Sequence, residues 1–118
     1  MKAINLAAEA AKIQELFEYK TIAKMNGHIF TLIKAKDRTL DFHIHKDSDE
    51  VFYIVEGQMK LEFRDNIVHL NAGEMCVVPK GIEHRPVCET EVTAMLIETD
   101  GTLTPDNTGG AYKKETGR

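Results

Sequence analysis

The stretch Asp41–Gly57 reads DFHIHKDSDEVFYIVEG. His43 and His45 sit either side of Ile44, and Glu50 follows after four further residues. The surrounding residues are rich in β-branched and aromatic types, the composition of strands. On a strand, residues i and i+2 face the same side, so both imidazoles can point into one space. Val51–Val55 then reads as a second strand. If it runs antiparallel to the first, Glu50 comes up beside the histidines. A carboxylate buried there needs a partner. Two neutral imidazoles and a carboxylate satisfy one another around a divalent cation.

Outward from this stretch the same rhythm continues. Thr21–Met25, His28–Ala35 and Leu40–His45 read as strands before it, with Asn26-Gly27 as a hairpin turn. After it come Met59–Phe63, Ile67–Leu70, Met75–Val78, Ile82–Val87 and Val92–Thr99. Asp65-Asn66, Asn71-Ala72-Gly73 and Pro79-Lys80-Gly81 separate them. Many short strands with frequent turns, and no alternation with helices, predict an all-β sandwich or barrel. Leu6, Ala10, Ile13 and Phe17 fall at helical spacing, so one amphipathic helix is expected over residues 5–17. The expected organisation is a helical segment over 1–20, a barrel over 21–104 and a polar tail over 105–118 with little to bury.

A further ligand is available in Gly73–His84, where His84 follows the Pro79-Lys80-Gly81 turn. With these residues the chain resembles the cupins. Their first motif, G-x5-H-x-H-x(3,4)-E-x6-G, is matched by His43, His45, Glu50 and Gly57, with Asp37 in place of the leading glycine. Their second, G-x5-P-x-G-x2-H-x3-N, is matched by Gly73, Pro79, Gly81 and His84, with Cys88 in place of the asparagine. The resemblance implies a double-stranded β-helix, or jelly-roll barrel, with a short N-terminal helix. It also implies one divalent metal ion per chain, held by His43, His45, Glu50 and His84. Iron, manganese, nickel, cobalt and zinc all suit that donor set. Cys88 replaces a residue that is not a ligand in these proteins.

The remaining polar and aromatic residues have plainer readings. His28 and His69 lie in strand patterns without matching partners. Phe42 faces away from His43, and Glu83 and Arg85 face away from His84, as solvated charges. Asp47, Ser48 and Asp49 read as a solvated turn. Phe52, Tyr53 and Phe63 are expected in the core or at a subunit contact. Cys76 and Cys88 read as small hydrophobes. Both faces of Val51–Val55 are apolar, so the outward face needs a cover, from the N-terminal helix or a second subunit. Cupins of this size commonly pair through a sheet, so a homodimer is expected by resemblance.

The bulk properties narrow the function. The chain has 118 residues, 42% apolar and 29% charged, with a net charge of -4, which fits one globular domain. No basic stripe points to nucleic acid. No apolar run approaches the roughly 18 residues of a membrane helix. The N-terminus lacks a signal-peptide pattern, so a cytoplasmic location is expected. Four protein ligands on an octahedral ion leave two positions for a small molecule, or for a small molecule and dioxygen. The expected function is therefore a metalloenzyme of dioxygenase, decarboxylase or isomerase type on a small polar substrate. The alternative is a non-enzymatic barrel that binds or senses a sugar or metabolite. No second acid or base is placed by a motif.

Overall fold

The computed structural model describes residues 1–104 and, as backbone, residues 113–116. Its elements are α1 (Leu6–Ala11), β1 (Glu18–Met25), β2 (His28–Ala35), β3 (Arg38–Thr39), β4 (Glu50–Glu56), β5 (Gln58–Phe63), β6 (Ile67–Asn71), β7 (Met75–Val78), β8 (His84–Cys88), β9 (Val92–Thr99) and β10 (Lys113–Thr116). They form a six-stranded sheet, β10-β1-β2-β9-β4-β7, and a four-stranded sheet, β3-β8-β5-β6. All pairings are antiparallel except the parallel β1–β10. The expected all-β jelly-roll with a short N-terminal helix is the observed architecture.

Period-two alternation sets the layers. On β4, Glu50, Phe52 and Ile54 are buried while Val51, Tyr53 and Val55 are half-buried. Facing side chains of the two sheets, among them Phe52, Ile54, Leu96, Met59, Leu61 and Leu70, make one core. Ile54 and Leu61 are fully buried, and each contributes roughly 1.5–3 kcal/mol through apolar burial.

Two expectations are corrected. The helix stops at Ala11 rather than Phe17. Ile13 and Phe17 would share a helical face, but Ile13 packs with Ala10 and Leu32 outside the six-stranded sheet while Phe17 joins the barrel core. The chain therefore leaves the helix between them, and Phe17 takes a φ of 63°. Strand β1 begins at Glu18, inside the segment assigned to the helical unit. Within the tail from Pro105, residues 113–116 form β10 as backbone; residues 105–112 and 117–118 lie outside the described residues, so the reading of the tail falls largely outside them.

Leu40–His45 is not a continuous strand. β3 ends at Thr39, and the next pairing is an isolated bridge between His43 and His84. Thr39 pairs with Val87, so unbroken register would set Phe42, not His43, against His84. One extra residue is thus accommodated, as in a β-bulge. The physical cause is Pro86: Leu40 N–H donates to its carbonyl at 3.2 Å, but Pro86 has no N–H to return.

The outer face of the six-stranded sheet is half covered. Ala10 and Ile13 lie on Leu32, with Ile22, Val55 and Met95 packed against them. Further toward the edge, Tyr53 pairs with Met75 and Val51 with Val77. Met75 and Val77 remain 56% and 51% exposed.

Candidate metal centre

The polar residues meet where the two sheets face each other. His84 opens β8, and His43 is tied to it by two backbone hydrogen bonds of 3.0 Å. Glu50 opens β4, which is hydrogen-bonded to β7 and β9. The carboxylate therefore reaches across from the opposite sheet, rather than from a neighbouring antiparallel strand. Ligand nitrogens of His43, His45 and His84 all lie within 4.8 Å of one another. The Glu50 Oε1 atom is 3.4 Å from His45 Nε2 and 3.2 Å from His84 Nε2.

Two tautomers are fixed by the backbone. His43 Nδ1 lies 2.7 Å from the Asp41 carbonyl and His84 Nδ1 lies 2.9 Å from that of Ile82. A carbonyl only accepts, so both Nδ1 atoms carry the proton when the rings are neutral. Each Nε2 is then left with its lone pair. This is the outer-sphere arrangement that orients metal-binding imidazoles.

The charges are coupled. Burial pushes the Glu50 carboxyl up, but the adjoining His45 and His84 outweigh it and hold its pKa below the ordinary value. Burial lowers His84, yet the Glu50 carboxylate and the Ile82 carbonyl prevail, and its pKa stands above the usual value. Burial sets His43 below it, opposed by the Asp41 carbonyl and reinforced by the two neighbouring imidazoles.

The group is suited to a cation. His45 Nε2, His84 Nε2 and Glu50 Oε1 are buried, and beyond their contacts with one another they have no hydrogen-bond partner. Groups of that kind are paired in folded proteins, and a divalent ion among them would satisfy all at once. The three histidines could hold such an ion, with Glu50 at its side.

The supporting loops are tightly fastened. Gly81 N–H donates to the His45 carbonyl at 2.8 Å, and Lys80 N–H to Asp49 Oδ1 at 2.9 Å. Ser48 is buried; its hydroxyl accepts from Thr99 N–H at 2.9 Å and donates to the Asp49 carbonyl at 2.7 Å. The reading of Ser48 as part of a solvated turn is therefore corrected, while Asp47 and Asp49 are exposed as expected; Ser48 and Asp49 together pin the spacer between His45 and Glu50. Asp37, standing for the motif glycine, has a φ of 50°, a conformation aspartate tolerates better than most residues. At Gly57 a side chain is excluded: φ is +86° and a Cβ would meet the Glu91 carbonyl oxygen at 2.6 Å.

Other expectations hold or change as follows. His28 and His69 are exposed and outside the cluster. Cys76 and Cys88 are free, and burial pushes the Cys88 thiol up to about 11, so it packs as a hydrophobe. Glu83 and Arg85 are not merely solvated: Arg64 chelates Glu83 at 2.8 and 2.9 Å, and Arg85 binds Glu62 at 2.7 Å. These pairs join residues 19 and 23 positions apart, beyond the reach of local patterns. Sequence reading also passed over Glu98, fully buried and paired in the ladder with Ile29; the alternation Ala94, Leu96, Glu98 was its signal.

Beside the centre, Phe52 places its ring 6.0 Å from that of His84. With Leu96, Ile33, Leu40 and Met59 it lines an apolar cavity of about 50 Å³ that also meets Arg38. Arg38 is exposed and stacks over Phe17 at 4.9 Å. Among the described residues, no helix is long and apolar enough to cross a membrane.

Comparison with known proteins agrees with this fold. The cupin-domain profile matches residues 30–100. An uncharacterized protein of Bacillus subtilis, YdbB, is 34% identical over 95 residues, covering 80% of this chain and 83% of that protein. The crystal structure of a cupin-2 domain containing protein from Shewanella frigidimarina superposes with a TM-score of 0.77 at 38% identity, covering 81% of this chain and 93% of that one. A 3-hydroxyanthranilate 3,4-dioxygenase of Danio rerio is 36% identical over 62 residues, which is 49% of this chain and 21% of the dioxygenase. The chain thus spans about a fifth of that enzyme's length. By its profile, its relatives and its barrel, this chain belongs to the cupin-2 domain family.

Proposed function

We propose that the protein is a metalloenzyme of dioxygenase type, holding one divalent transition ion through Nε2 of His43, His45 and His84 and the Glu50 carboxylate. The observation that carries this reading is the convergence of buried Nε2 and Oε1 atoms, partnered only by one another, on one point between the sheets. The local similarity to a dioxygenase favours oxygen chemistry over decarboxylation or isomerisation.

When bound, the ion supplies Lewis acidity and redox capacity. The chain's own residues do the rest. Glu50 contributes a negative charge to the centre. The Asp41 and Ile82 carbonyls keep His43 and His84 in the tautomer that presents Nε2. Phe52 and Leu96 exclude water on one flank and offer a surface to the carbon skeleton of a small substrate.

Elemental analysis of untagged protein, purified without chelators, tests the first half. Near-stoichiometric iron followed by substrate-dependent oxygen uptake with small diols, thiols and phenolic acids supports the reading. Stoichiometric metal with no turnover would favour the metabolite-binding alternative. Absence of metal after reconstitution would overturn the reading.

A homodimer is proposed as well, through the uncovered part of the outer sheet face. Val51, Tyr53, Met75 and Val77 form contiguous pairs there, and β7 is an edge strand. Sedimentation at micromolar concentration should give twice the chain mass, and Met75→Lys combined with Val77→Lys should give the monomer. A monomeric wild type would overturn this.

A further inference from the structure

The centre has an unusual fastening on its outside. Phe42 is half-buried on the opposite side of the chain from His43. Two guanidinium groups stack on its ring, Arg64 at 3.9 Å and Arg85 at 4.4 Å from the centroid. Both cations are held in place by carboxylates: Arg64 by Glu83 in a two-point contact, Arg85 by Glu62. The aromatic face carries partial negative charge, so each of the two cations attracts the ring.

The position of this clasp matters. Phe42 precedes His43, and Arg85 follows His84. The His43–His84 backbone bridge therefore has two imidazoles on its inner side, 4.5 Å apart, and the Phe42–Arg85 stack on its outer side. The bridge is isolated, and regular pairing is broken between it and β3. His43 is also the least buried of the three histidines. Apart from the Asp41 carbonyl at its Nδ1, little fixes its ring.

We infer that Phe42, gripped by the guanidinium groups of Arg64 and Arg85, is a positioning residue for the metal centre, holding the His43 segment against β8 so that His43 Nε2 meets the other ligands. The inference rests on the metal-binding reading above.

The test uses Co2+ as the probe, with affinity by competition and the visible ligand-field spectrum as a report on ligand geometry. Phe42→Leu, which keeps bulk and removes the ring, should weaken Co2+ binding about tenfold, within the range for outer-sphere supports, and alter the spectrum. Phe42→Tyr and Phe42→Trp should restore both. Ile13→Ala, on the far side of the sheet, should lower stability without moving affinity or spectrum. If Phe42→Leu fails to fold, Arg64→Met and Arg85→Met carry the test and should each weaken binding. Wild-type affinity and spectrum in the Phe42→Leu protein, or in both arginine variants where these carry the test, would overturn the inference. So would failure of Tyr and Trp to rescue. A wild type that binds no Co2+ would instead remove the metal reading itself.

Discussion

The two halves of the centre are built differently. Glu50 stands at the head of β4, a strand hydrogen-bonded on both sides in a six-stranded sheet. His43 and His45 stand on a segment that touches its sheet through a single bridge and a few loop contacts. The carboxylate is placed by the barrel; the histidine arm is placed by local fastenings. A buried charge, expensive to misplace, sits on the rigid element. The arm can be loosened without unfolding the protein, so stability and metal affinity should respond to different residues.

The sharpest way to break this contrast is at the ligands. His84→Ala, and likewise His45→Ala, should lower Co2+ affinity more than about 100-fold, beyond the loss from an outer-sphere partner. Circular dichroism should still report a folded barrel. Stoichiometric binding in either variant would dismiss the four-ligand set.

Gly57→Ala strikes the rigid half. The positive φ and the approach of the Glu91 carbonyl leave no room for a methyl group. Stability should fall by roughly 2–3 kcal/mol, measured by urea unfolding of the metal-free protein. An unchanged midpoint would show that the β4–β5 turn relaxes freely.

The pH dependence joins the halves. Glu50, with its pKa lowered, stabilises the metal-free fold above about 4.5 and loses that contribution as pH falls through its folded pKa. His84, with its pKa raised, stabilises it below about 6.5 and loses that contribution as pH rises through its folded pKa. The pair thus favours the metal-free fold most between those values. Metal affinity runs the other way, because His84 must lose its proton to ligate. It should fall about tenfold per pH unit below the raised His84 pKa. In Glu50→Gln, burial prevails and the His84 titration, followed by NMR, should move to lower pH. A titration that stays put would mean the two halves are not coupled.

The smallest effect belongs to the arm. Ser48→Ala leaves the Thr99 N–H without its acceptor and should cost about 1–2 kcal/mol. Calorimetry of metal binding should show a loss of affinity alongside it. Lost stability with unchanged affinity would show that the spacer does not place the histidines.

The same contrast marks what the sequence discloses. The strands of the rigid half are written in local alternation, as in Glu50, Phe52 and Ile54 on β4, and the motif spacing points to His43, His45, Glu50 and His84. The arm is not so written. Its bulge depends on Pro86, a residue that looks innocuous until its partner Leu40 is known. The Arg64–Glu83 and Arg85–Glu62 pairs join residues 19 and 23 positions apart in sequence, and their grip on Phe42 follows only from the folded register. The helix was overread because Ile13 and Phe17 keep helical spacing while going to opposite sides of a sheet.

The most direct test is X-ray absorption at the cobalt edge, with one equivalent of Co2+ per chain. The account predicts a nitrogen and oxygen shell with outer scattering from three imidazole rings. A shell of oxygens without imidazole, or one containing sulfur from Cys76 or Cys88, would contradict it.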